Sequence, residues 1–159
     1  MTTRTSTFLA FAALVLMAFG TATMAADSNV ATWKLNLAKS TFYPGPAPKS
    51  QTVKIEPWGP DGVKFVADGV DADGEPTHWE FQAQYDSKFV PFKGNPDADM
   101  ISYKRIDANT IESTTQVNGK PTMQHKAVVS ADGKTRTVTQ NGKTAQGEDV
   151  HNVVVYDKQ

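Results

Sequence analysis

The sequence predicts an all-β protein: an antiparallel up-and-down meander of about eight to ten strands closing into a barrel, with a two-sheet sandwich as the alternative. Three observations predict it. Six Asx-Gly dipeptides (Asp61-Gly62, Asp68-Gly69, Asp73-Gly74, Asn118-Gly119, Asp132-Gly133, Asn141-Gly142) punctuate the chain, and Asx-Gly supplies the two positive-φ residues of a type I′ hairpin turn. Short segments of alternating polar and apolar character run between them. Past residue 25, leucine is confined to Leu35 and Leu37, while Val, Thr, Phe, Tyr and Trp abound. Those types suit a pleated, half-buried surface. No window there repeats apolar residues at i, i+3, i+4, i+7, so almost no helix is expected.

The first strand, residues 32–37, sets Trp33, Leu35 and Leu37 on one face. Pro44, Pro46 and Pro48 then forbid helix and strand interior, which makes an extended loop. Residues 51–58 form a strand with Val53 and Ile55 inward, turned at Gly59-Pro60-Asp61-Gly62. Residues 63–67 return with Val63 and Phe65 alternating. An acidic connection, 68–75, leads to the clearest alternation of all, residues 77–85. There Trp79, Phe81, Ala83 and Tyr85 share one face and His78, Glu80, Gln82 and Gln84 the other. Residues 89–92 form a short strand in which Pro91 implies an edge, a bulge or a strand end. Segments 100–106, 110–117, 122–130, 135–140 and 150–156 complete the set. Connections of roughly two to eight residues favour pairing between sequence neighbours.

The N-terminus has the form of a secretory signal peptide. Arg4 precedes an uncharged apolar run over residues 8–20, and Thr23 and Ala25 suit the −3 and −1 positions of a cleavage site after Ala25. Thirteen residues rise roughly 20 Å as a helix, short of a ~30 Å hydrocarbon core. Residues 1–25 are thus expected to be removed, leaving residues 26–159 as one periplasmic or secreted β-barrel domain with no stable membrane anchor. That remainder has fifteen Lys and Arg against seventeen Asp and Glu. It holds no basic stripe, so nucleic acid is not an expected partner. The absence of cysteine excludes a disulfide framework, thiol chemistry and a lipid-acylated cysteine.

The segment Ala31-Thr32-Trp33-Lys34-Leu35 resembles the opening strand of calycins, the lipocalins and fatty-acid-binding proteins, whose Gly-x-Trp places the tryptophan at the barrel floor. The terminal Val154-Val155-Tyr156-Asp157-Lys158 and the even strand spacing are similar to that class as well. The resemblance implies a barrel with an interior ligand. Two features depart from it: a proline loop stands where fatty-acid-binding proteins have a helical lid, and the Arg-x-Tyr carboxylate clamp of their last strand is absent.

Thirteen lysines accompany only two arginines in residues 26–159, Arg105 and Arg136. Arg105 shares strand parity with Ile101 and Tyr103, and Arg136 with Val138 and Gln140. An arginine on an apolar barrel face can hold a carboxylate or phosphate bidentately; pairing with a nearby acid, or stacking on Trp33, is the alternative. His78, His125 and His151 lie on three different strands, with His125 among Met123, Ala127 and Val129 on an apolar face. No shared metal site is expected of them. Asp71-Ala72-Asp73-Gly74 with Glu80 echoes a calcium loop, yet that spacing puts Gly69 at the first ligand position. A turn held by aspartate side chains explains the segment without metal. No cofactor fingerprint and no catalytic motif occurs.

The leading expectation is therefore an exported barrel that binds a small, mostly apolar molecule in its interior. Trp33, Phe65, Trp79, Phe81 and Tyr85 would line the pocket, with Arg105 or Arg136 orienting a polar end. A rival is a structural or interaction module acting through surface aromatics such as Trp58 or Phe42, with no ligand cavity. An enzyme would require His78, Glu80 and an arginine to converge in one cleft.

Overall fold

A computed structural model describes residues 26–159; the expected signal peptide, residues 1–25, lies outside the described residues. Ten strands follow one another: β1 (Thr32–Leu35), β2 (Ser50–Pro57), β3 (Gly62–Val70), β4 (Pro76–Gln84), β5 (Asp86–Pro91), β6 (Met100–Arg105), β7 (Thr110–Val117), β8 (Lys120–Val129), β9 (Thr135–Lys143) and β10 (Asp149–Lys158). The helical content among the described residues is one 3₁₀ turn, Leu37–Lys39. All ten strands belong to one antiparallel sheet in the order β4-β3-β2-β1-β10-β9-β8-β7-β6-β5. The last strand returns to the first through Trp33↔Lys158 and Leu35↔Tyr156, as expected of a closing meander. The result is a nearly closed barrel rather than two stacked sheets.

Closure is completed, narrowly, between β4 and β5. The chain turns a corner at Tyr85, and β4 then meets the segment just past β5 at one isolated bridge, Glu80 with Lys93. Its two backbone bonds measure 3.1 and 3.0 Å, and a Lys93–Glu80 ion pair at 3.2 Å reinforces it. A hollow of about 280 Å³ lies at this seam. The register of β5 slips between Asp86 and Phe89, where Ser87 has φ 64°. Pro91 ends the strand, so the missing N–H falls where the ladder stops.

The turn chemistry differs from the sequence expectation. Asn118-Gly119 alone has both φ values positive, 49° and 75°, and makes the two-residue hairpin between β7 and β8. In Asp73-Gly74 and Asp132-Gly133 only the glycine is positive. Asp68-Gly69 and Asn141-Gly142 are not turns at all; they lie inside β3 and β9. The long-range ladder overrides the local turn preference there. A side chain on Gly69 or Gly142 would strike the carbonyl of Ser50 or Thr122 across the sheet. These two glycines serve close strand approach.

The barrel has one closed and one open end. At the closed end residues 27–30 cross the base. Trp33, with no exposed surface, donates from Nε1 to the carbonyl of Asn29 at 2.8 Å. Ser28 Oγ donates to the Ala108 carbonyl at 2.7 Å. Val53, Val63, Ala83 and Val129 are buried with Trp33. At the open end stand the proline loop, the β3–β4 turn and the segment between β5 and β6. The proline loop is held to β10 by Tyr43 N–H donating to Asn152 Oδ1 at 2.9 Å and by His151 N–H donating to the Tyr43 carbonyl at 3.0 Å.

Candidate functional site

Alternation along the strands sends every second side chain inward, and the antiparallel register stacks those side chains in rings. One ring runs Arg105↔Ile111↔Ala127↔Val138↔Val154. Its members from Ile111 onward are short or mid-sized, and a ten-strand barrel is wider than one that side chains simply fill. A cavity of about 440 Å³ remains, reaching from Arg136 up to Phe42, Pro46, Pro48 and Asp71 at the open end. Its volume falls within the range of small-molecule sites.

The walls are unlike. On the β3–β4 side they are aromatic. Phe65 and Phe81, directly opposite across the strands, stack with ring centres 4.7 Å apart and 12° between planes. Phe92 meets Phe81 edge-on at 5.3 Å, and Trp79 meets Phe92 edge-on at 6.4 Å. On the β6–β10 side one complete ring is polar: Tyr103↔Ser113↔His125↔Gln140↔Asn152. Asn152 Nδ2 donates to Gln140 Oε1 at 2.9 Å, and Tyr156 donates its hydroxyl hydrogen to Gln51 Oε1 at 2.6 Å.

Arg136 lies at the bottom of this space. Val129 and Tyr156 flank it on the neighbouring strands, and it is 4% exposed. Its Nε donates to Asn29 Oδ1 at 3.3 Å, and its Cζ stands 6.0 Å from the Tyr156 ring centre. Among the described residues no carboxylate forms an ion pair with it. An arginine out of water without a counter-charge is costly. The charge also governs its neighbours. Burial and Arg136 together hold the His125 imidazole down at about 4, so it is neutral near pH 7. Its Nε2 is sealed from solvent and has no partner. Burial pushes the Tyr156 phenol up to about 12, and it raises that of Tyr103 too, against the pull of Arg136.

The residues named from the sequence divide into two groups. Phe65, Trp79, Phe81 and Arg136 line the cavity. Trp33, Tyr85 and Arg105 sit at the closed end, off the cavity wall. Arg105 stacks on Tyr85 at 3.9 Å rather than on Trp33. Its Nη2 donates to Asp27 Oδ2 at 3.0 Å and its Nη1 to Asp61 Oδ1 at 2.8 Å. Tyr85 also donates to Asp27. Half-burial alone would raise the Asp27 carboxyl; the bonds from Tyr85, the Asn29 N–H and Arg105 outweigh it and hold the carboxyl below its usual range. This arginine is matched by acids and ties down the base.

His78 and Glu80 lie on the outer face, His78 against Asp68 at 2.6 Å. They do not converge with either arginine. Among the described residues no three metal-ligating side chains gather. Asp71 Oδ1 instead accepts from the N–H groups of Gly74 and Glu75, both at 2.8 Å, and shapes its own turn. Phe42 belongs to the cavity mouth, while Trp58 is 39% exposed at the β2–β3 turn. The polar ring was within reach of parity, since His125 and Gln140 share faces with residues expected inside. Asn29 carried no signal: it precedes the first strand and acquires its role by folding under the barrel.

No family model matches the chain, and no curated protein does. Among solved structures it is similar to a redesigned β-barrel, at 15% identity and TM-score 0.48, over 86% of this chain and 97% of that one.

Proposed function

We propose that this protein is an exported barrel that holds a small, mostly apolar molecule in its interior. The observation that carries the reading is the cavity of about 440 Å³ lined by Phe65, Trp79, Phe81 and Val138. A few ligand methylenes, at about 0.8 kcal/mol each, give useful affinity. Export rests on the signal-like residues 1–25, and kinship with calycins rests on Trp33 at the closed end of the first strand.

The test is native mass spectrometry of the processed protein purified from its own host. A stoichiometric small-molecule adduct is expected. It should vanish in Ala127→Phe, which fills the space between Ile111 and Val138. A chain free of adduct that also takes up no apolar dye would end the reading and favour a module acting through its surface.

A further inference from the structure

The two walls of the cavity ask for more than an oily ligand, and the base asks for a charge. Arg136 is nearly wholly buried, has only the neutral Asn29 amide and Tyr103 phenol as partners, and faces the cavity. Every other guanidinium or ammonium in an ion pair of the described residues reaches its carboxylate at or near the surface; Arg105 has two. Leaving Arg136 unmatched is a cost unless something else brings the anion. His125 repeats the pattern four residues up the neighbouring ladder: Nε2 is sealed, unpartnered and on the cavity wall. The group missing at the base is an anion; His125, four residues away along the strands, lacks a hydrogen-bonding partner.

The shape of that group's carrier follows from the walls. Phe65 and Phe81 form a continuous stacked face, and Phe92 stands edge-on to it. Such a face best matches a flat ring, which gains from offset or edge contact beyond its buried area. Opposite stands the polar ring of Ser113, His125, Gln140 and Asn152, suited to the hydrogen-bonding edge of a substituted ring. An aliphatic chain would leave His125 Nε2 without a partner, whereas Gln140 and Asn152 already bond each other.

We infer that the ligand is an aromatic carboxylate, its ring against Phe81 and Trp79 and its carboxylate on Arg136. This rests on the interior-binding reading and names the ligand class for the same site. The guanidinium donates to the carboxylate oxygens, and the polar ring contacts substituents on the ring's far edge. No bond is made or broken; the role is capture.

The experiment uses calorimetry on the processed chain at pH 7 with three probes: 2-naphthoate, the neutral 2-naphthylmethanol, and decanoate. Naphthoate should bind at least tenfold more tightly than either of the others. Arg136→Gln should cost naphthoate at least tenfold in affinity and bring it down to that of the alcohol. Arg136→Lys, which keeps the charge but loses the fork, should fall between. The comparison within the wild type stands even if a variant fails to fold. Equal binding of naphthoate and the alcohol would overturn the charge; equal binding of naphthoate and decanoate would overturn the ring. Both results leave an interior binder standing. No binding of any probe would overturn the inference and the interior-binding reading together.

Discussion

Arg136 and Asn29 are joined by one bond, Nε to Oδ1 at 3.3 Å, across 107 positions of the chain. Asn29 is itself 2% exposed and keeps Nδ2 without a partner. The base of the cavity is therefore a polar pair that is only half satisfied. Such under-satisfaction is costly in an empty protein and useful in one that is filled.

Removing that charge should stabilise the ligand-free protein. Arg136→Met replaces an unmatched buried cation with an apolar side chain of similar length. Loss of the Asn29 bond offsets part of the gain, leaving about 1–2 kcal/mol in urea denaturation. A loss of stability would mean that the charge is compensated in the folded protein.

Acid should weaken the fold in two separate windows. The His125 pKa is about 4 in the folded protein against 6.5 for the free side chain. Between those values the unfolded chain binds a proton that the folded chain refuses. Stability is complete above pH 6.5 and falls by up to about 3 kcal/mol as pH drops to 4. Arg136, Tyr103 and Tyr156 face the same space, and the two phenols stay neutral throughout. Asp27, whose pKa is lowered from 3.8, contributes stability above that value and loses it only at lower pH. Urea midpoints at pH 7 and pH 4.5 should differ in the wild type and converge in His125→Gln. An unchanged pH slope in that variant would contradict the assignment.

The closed end should depend on Asp27, which gathers Tyr85, Arg105 and the Asn29 N–H. Asp27→Ala strands the Tyr85 hydroxyl and leaves Arg105 with Asp61 alone. A loss of about 2–4 kcal/mol is expected by thermal denaturation. Arg105→Lys should recover only part of the wild-type stability, because stacking on Tyr85 and the double bonding both need the planar fork.

The barrel seam should be its weakest line. Lys93→Pro removes the N–H that donates to the Glu80 carbonyl, and with it half of the bridge between β4 and the segment just past β5. Amide exchange should quicken first along Gln82–Gln84 and residues 89–91, while β8 to β10 keep their protection. Uniform loss of protection would show that the seam is no separate unit.

Access to the cavity should be slowed by its rim. Asp71, Asp73 and Asp97 stand at the open end, and residues 26–159 are net negative. Screening relieves repulsion over a Debye length of about 10 Å at 0.1 M salt. Stopped-flow association of 2-naphthoate should therefore quicken by about twofold or more between 0.02 and 0.2 M salt. Slower association with added salt would mean that Arg136 steers the anion instead.

Strand periodicity was legible because it is local. Trp79, Phe81 and Tyr85 alternate with His78, Glu80 and Gln82, and the pleat alone then decides which side chains turn inward. The same reasoning put Arg136 and His125 on inner faces. It failed at Asp68-Gly69 and Asn141-Gly142, where a local turn preference of order 1 kcal/mol yields to the ladder of β3 or β9.

By itself, then, the sequence determined the alternation, the meander and the inward set of side chains, since each follows from neighbours within a few residues. The tertiary structure alone decided how far along the barrel each of them lies. Arg105 and Arg136 read alike in one dimension, yet register places Arg105 against Asp27 and Asp61, and Arg136 beneath an unfilled space. That difference depends on which strands become partners and where a distant N-terminal segment folds, and no local pattern encodes either.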